Sequence, residues 1–259
     1  MNATGVLRVR AVPTGELPRV TVSAMWQLYA DFYDHVTHEA FLRDLAEKAL
    51  VFVGTDAGSD ELVGFSTALF YRHRHRGRVV GIYFSGDTIF RPRYWGQTAF
   101  HRAVTRELLS WKLRHPLEPL YWHLICSGFR TYLTLVRNFP AHWPHHARPC
   151  PEWERGLIDS VCRARYGSAW QAVRGVVSFG LEQPVLRNGV APLTPDVLAM
   201  PEVAFFVAAN PGYRQGDELA MIARVDAGAI VGMTAKWLRK ALRRRRPRLA
   251  PAALAGERG

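Results

Sequence analysis

The chain has 259 residues, enough for one large domain or two small ones with a substantial buried core. Hydrophobic residues make up 48% and charged residues 22%, a globular composition that excludes wholesale disorder. The net charge of +12 is unevenly placed: from Lys236 onward nine Lys and Arg face a single acid, Glu257, which leaves residues 1–235 at only +4.

Cys126, Cys150 and Cys162 form an odd set without a regular framework, which argues against a disulfide scaffold. No apolar run approaches the roughly 18 residues that span a bilayer, and the N-terminal stretch lacks the apolar segment of a signal peptide. These features predict a cytoplasmic protein.

Residues 19–36 place Met25, Leu28, Tyr29, Phe32 and Tyr33 at helical spacing. A second helix is predicted over 38–49, with Phe41, Leu42, Leu45, Ala46 and Ala49 on one side. Apolar, β-branched runs at 50–54, 62–71 and 79–90 then read as an antiparallel meander, separated by TDAGSD and by RHRHRGR. Pro92 stops the third run. Residues 98–114 predict a helix with Phe100, Ala103, Val104, Leu108 and Trp111 along one face. Residues 120–126 follow as a continuous apolar strand of the kind buried on both faces, and 129–138 as a helix. Strand, helix, strand implies that 79–90 and 120–126 run parallel through a right-handed crossover. The segment 140–200 is rich in Pro, Trp and His, with a helix expected near 152–165. Residues 203–208 and 219–225 read as two more strands around NPGYRQGD. The predicted fold class is α/β (α+β): a mixed, mostly antiparallel sheet with one parallel β-α-β unit, flanked by helices.

In an open sheet with one parallel unit, ligands sit beyond the carboxyl ends of the parallel strands. That edge is Ser85–Phe90, followed by the turn RPRYWGQ and the start of the helix at 98–114. A helix N-terminus offers unpaired N–H groups and partial positive charge, both suited to a pyrophosphate. Gly96 permits close backbone approach there, and Arg91 and Arg93 add charge. The alternative is an ordinary loop capped by Thr98.

The strand VVGIYFSGDTIF (79–90), the turn RPRYWGQT (91–98), the helix AFHRAVTRELL (99–109) and the strand LYWHLICS (120–127) resemble the GNAT N-acetyltransferase superfamily. The order of elements from 19 to 138 agrees, and 203–225 resembles the closing hairpin of that fold. DLAEKALVFVG, ELVGFSTALF, SGDTIFRPRYWGQ and NPGYRQGDEL are similar to an uncharacterised bacterial group carrying this domain. The resemblance implies a GNAT-like acyltransferase domain over 1–235 with an insertion at about 140–200, and acetyl-CoA or another acyl-CoA as donor to a small-molecule amine or other acceptor. It places the pantetheine arm along the backbone of Ile89, Phe90 and Arg91. The pyrophosphate would lie on the amides of Gly96, Gln97, Thr98 and Ala99, with Arg91 and Arg93 serving it. Trp95 stands where the family loop has Arg or Gln, and Thr98 and Phe100 where it has small residues, so their Cβ atoms narrow the approach.

Acyl transfer to an amine needs a base for the ammonium proton and often an acid for the leaving thiolate. By resemblance Asp87 is the candidate base and Tyr132 the candidate acid; a turn-forming Asp and a core Tyr are the alternatives. Ser127 and Cys126 are weaker candidates at the same strand end. His142, His145, His146 and Cys150 match no tight zinc spacing, so loop packing or acceptor-site lining is expected there, and no metal site. His123 reads as a satisfied core histidine. From Thr234 to Pro247 the chain predicts a basic amphipathic helix. Three uses stay open for the tail 236–259: docking on the body, and contact through 236–248 with an anionic membrane surface or with nucleic acid. The last two belong to a rival function, a non-catalytic binding protein that retains the fold.

Overall fold

A computed structural model of the chain describes residues 5–180, 184–187 and 193–245. In chain order it contains β1 (Leu7–Pro13), α1 (Arg19–Phe32), β2 (Tyr33–Asp34), α2 (His38–Ala46), β3 (Leu50–Asp56), β4 (Leu62–His75) and β5 (Arg78–Phe90). Then come α3 (Ala99–Arg114), β6 (Leu120–Cys126), α4 (Phe129–Asn138), β7 (His142–Trp143), α5 (Glu152–Tyr166), β8 (Trp170–Gln171) and β9 (Val176–Val177). The chain continues through β10 (Val185–Leu186), α6 (Pro195–Leu198), α7 (Pro201–Ala209), β11 (Glu218–Val225) and α8 (Ala227–Arg245).

The main sheet runs β1-β3-β4-β5-β6-β11-β9-β8, with β7 also pairing β11. Every pair in it is antiparallel except β5–β6, which is parallel, as the crossover predicts. The polar stretch 72–78 does not interrupt the meander. β4 and β5 keep pairing to His75 and Arg78, where Arg76 (φ 45°) and Gly77 (φ 78°) turn the hairpin. Two central residues at positive φ match the right-handed twist of the flanking strands.

Side-chain alternation along the central strands sorts the helices onto two faces. Tyr83, Leu120, Trp122, Leu124, Met221 and Ala223 face α3, α4, α7 and α8. Val80, Ile82, Tyr121, Ala220 and Ile222 face α5, while Val51, Val53, Phe65 and Ile89 face α1 and α2. Gly81 lets α3 come close: a Cβ there would stand 2.1 Å from Trp111 Cη2. The three cysteines are free thiols. No helix among the described residues is long and apolar enough to cross a membrane.

Two expectations are corrected. Residues 203–208 are not a strand of a closing hairpin but lie within α7, where Pro201 occupies the first turn and Val203 and Phe206 are buried. A short, uniformly apolar run has no period by which to choose helix or strand, whereas Pro at the first helical position is favourable. The basic C-terminal helix begins at Ala227 rather than near Thr234. Asp226 accepts a hydrogen bond from the Ala229 N–H (2.9 Å), and Ala229 and Met233 are buried in the core shared with α3. The end of the tail, 246–259, lies outside the described residues.

Candidate active site

β5 and β6 pair only over Gly81–Phe84 and Leu120–His123, although β5 continues to Phe90 and β6 to Cys126. Where they part, β5 carries a bulge. Ser66 pairs with Thr88 and Ala68 with Ser85, so Gly86 and Asp87 together oppose Thr67. The opened edge is one wall of a cleft of about 1600 Å³, which also meets α1, α2, α4, the loop 94–97 and the first residue of β11. Residues 179 and 184–187, beyond β9, reach its rim. β10 pairs with β2, Arg187 Nε meets Asp34 Oδ1 at 2.9 Å, and Phe179 and Pro184 line the cleft.

The bulge turns Asp87 into this cleft. Its carboxyl is reachable through the opening yet enclosed by protein on the remaining sides. Desolvation, reinforced by the Asp44 carboxylate and opposed by Lys48, pushes its pKa up to about 7. Lys48 is buried, paired with Asp44, and runs past Gly86, where a Cβ would stand 3.1 Å from Lys48 Cε. A second carboxylate, Glu218, enters the same cleft from β11. Burial, then the Asp87 charge, push Glu218 up to about 8 against a hydrogen bond with Ser127. Tyr29 and Tyr33 stack at 5.0 Å on the cleft wall, and burial followed by the Asp87 charge pushes both hydroxyls well above the usual range. Opposite them Arg165 lies 4.0 Å over the Phe84 ring and 3.6 Å from Glu47.

The residues expected to hold a cofactor divide. Arg91 N–H donates to Val63 O (2.9 Å), so on the extended strand Arg91 and Ile89 turn their backbone groups to β4. Thr88 and Phe90 turn theirs to the parted side, where the Phe90 carbonyl accepts from Trp95 Nε1 (2.6 Å). Gly96 (φ 75°) and Gln97 line the cleft, and Gln97 also ties the loop to β1, accepting from Leu7 N–H at 2.9 Å and donating to Gly5 O at 2.8 Å. Thr98 makes no side-chain cap at the start of α3, and Ala99 is the first helical residue.

Arg91 and Arg93 do not reach the cleft. Arg91 lies 3.8 Å from Asp31, and Arg93 lies 3.7 Å from Glu61 and 4.8 Å over the Tyr94 ring. Besides Arg43, Lys48 and Arg165, the cleft is lined by Arg130, 4.7 Å over the Trp95 ring, with Arg137 and Lys236, the last held by Arg137 O and Asn138 Oδ1 (3.3 Å). Their positions depend on how α4 and α8 pack, which no local spacing reveals.

Tyr132 is placed away from the cleft. It is 0% exposed, against Phe205 and Phe206 at 6.2 and 5.6 Å between ring centroids, and its hydroxyl has no hydrogen-bond partner. Its neighbours Thr131, Leu133 and Thr134 line the cleft instead. Cys126 is likewise buried, and burial raises its thiol well above the usual range. His123 donates from Nδ1 to Met221 O (3.0 Å) and lies 3.4 Å from the Tyr166 hydroxyl, so both ring nitrogens are satisfied.

No protein-family model matches the sequence, and no curated protein matches it. Solved structures match in part. A predicted acetyltransferase from Clostridium acetobutylicum, solved with acetyl-CoA, is 11% identical over 57% of this chain and 94% of that one, with a TM-score of 0.40. A GNAT family N-acetyltransferase from Escherichia coli, solved with CoA, is 17% identical over 54% of this chain and 77% of that one, with a TM-score of 0.33. A probable N-acyltransferase from Enterococcus faecalis is 12% identical over 51% of this chain, which spans only 32% of that chain, with a TM-score of 0.39.

Proposed function

We propose that the chain is an acyl-CoA-dependent N-acyltransferase of GNAT type, moving an acetyl or other acyl group to an amine, with Asp87 as the base. The observation that carries this reading is the parting of the parallel strands, with a bulge that turns a carboxyl of pKa about 7 into the resulting cleft.

The residues present fit an acyl-CoA. The backbone groups of Thr88 and the N–H of Phe90, whose carbonyl is taken by Trp95, face the cleft and offer a strand edge to an amide-containing arm. The loop at Gly96 and Gln97 leads to the uncapped first turn of α3 at Thr98 and Ala99, whose amides suit a pyrophosphate. Arg130 and Lys236 take the charge role that Arg91 and Arg93 do not. When bound, the thioester supplies the activated acyl group.

Asp87 accepts the proton that the acceptor ammonium must lose before its nitrogen can attack. Desolvation by Tyr29, Tyr33 and the bulge keeps the carboxyl basic enough for this at neutral pH. Lys48, fixed by Asp44, limits how far the Asp87 pKa rises. Glu218, pushed up to about 8, still carries its proton at neutral pH and faces the acceptor as a hydrogen-bond donor.

Calorimetry with acetyl-CoA, followed by thiol release against an amine panel, tests the assignment. Binding and turnover are expected, with a rate that climbs as pH rises through about 7, because the base must be ionised. Asp87→Asn is expected to lower kcat by about 10²–10⁴ and remove that limb. Absence of acetyl-CoA binding would overturn the reading. An unchanged rate and pH profile in Asp87→Asn would remove Asp87 from the role.

A further inference from the structure

We propose that His142, His145 and His146 form a three-nitrogen site for a borderline divalent transition metal, with zinc the ion their chemistry suits best. Each contributes one ring nitrogen, and the three atoms lie within 4.8 Å of one another. Adjacent histidines rarely converge. Here the chain between α4 and α5 doubles back through a His145–Arg148 bridge, and the rings stack at 4.5 and 4.6 Å between centroids.

Two features point to a missing ligand. His142, buried on β7 and fixed by its pairing with Ala223, donates from Nδ1 to the Phe139 carbonyl at 2.6 Å. That bond leaves the lone pair on Nε2, as in many metal-bound histidines. This Nε2 is buried with no hydrogen-bond partner, and so is Nδ1 of His146. Two orphaned nitrogens side by side are rare in a folded core, and one cation would satisfy both.

Tetrahedral binding at about 2.1 Å sets nitrogens about 3.4 Å apart, so modest rotation of the half-buried His145 and His146 rings closes the site. His145 must release the Ala147 N–H that its Nδ1 now accepts (2.9 Å); Ala147 is exposed, so water replaces it. Arg148, held on the Pro140 carbonyl at 2.5 Å, is the neighbouring positive charge that opposes a cation. None of the three histidines lines the cleft, so the site stands apart from the proposed chemistry.

Cobalt(II) titration of the chelator-treated full chain gives the readout. The expected result is one equivalent with the visible bands of four-coordinate cobalt, displaced by zinc, and a zinc-dependent rise in melting temperature. His145→Gln and His146→Gln, at half-buried positions, should each weaken binding about tenfold or more. Arg148→Gln should tighten it several-fold. The inference fails if cobalt gives no such bands, or if the double variant binds as the wild type does. Intact melting curves for the variants without metal keep misfolding from mimicking that loss.

Discussion

At the residue scale, Asp87 and Glu218 bear on the same enclosed space, and neither ionises freely beside the other. Both are raised, to about 7 and about 8, so the folded chain keeps protons that the unfolded chain has already released above about pH 4. The folded state binds more protons across that window, so stability falls as pH rises through it. Glu218→Gln removes one such group. Its melting temperature should match wild type near about pH 5 and exceed it near about pH 8. Asp87 was legible in the sequence because the end of a parallel strand is where ligands gather. Glu218 was not, since its place depends on the β11 register: Leu219 opposite Cys126 sets Glu218 beside Ser127. Tyr132 shows the reverse limit. Neighbouring residues on α4 point only about 100° apart, and packing against α7 decides which of them enters the core and which lines the cleft.

At the element scale, the meander, the crossover helix and the parallel strand all follow from hydrophobic period and turn chemistry. β1 was not recognised, because seven residues with two arginines gain a strand's identity only from pairing along β3. α7 was misread for want of any period. The packing of α3 on β5 had no sequence signal beyond a glycine in a strand, yet Trp111 occupies the space where a Gly81 side chain would begin. Gly81→Ala should therefore destabilise by about 1–3 kcal/mol in denaturant unfolding with an unchanged m-value. Trp111→Leu should lessen that penalty when combined with it, a non-additivity that marks direct contact.

At the scale of the whole molecule, the basic C-terminal segment does not begin as a detachable arm. Its helix enters the main core through Ala229 and Met233, Arg102 lies 5.5 Å over the Trp237 ring, and Lys236 reaches the cleft. Among the three uses left open by composition, docking on the body describes the part up to Trp237. Lys236→Glu should weaken acetyl-CoA binding roughly two- to fivefold at low salt and less at high salt. It should leave the phosphate-free acetyl-pantetheine unaffected, which calorimetry with the two donors can separate. The sheet itself joins two halves, β1-β3-β4-β5 and β6-β11-β9-β8, through four residue pairs alone. The ladder stops where Trp122 Nε1 donates to Ser85 Oγ at 2.8 Å, a peg set just past the last rung. The gauge of the opening is therefore cut into the backbone register, and what can pass between the halves is decided before any loop has to move.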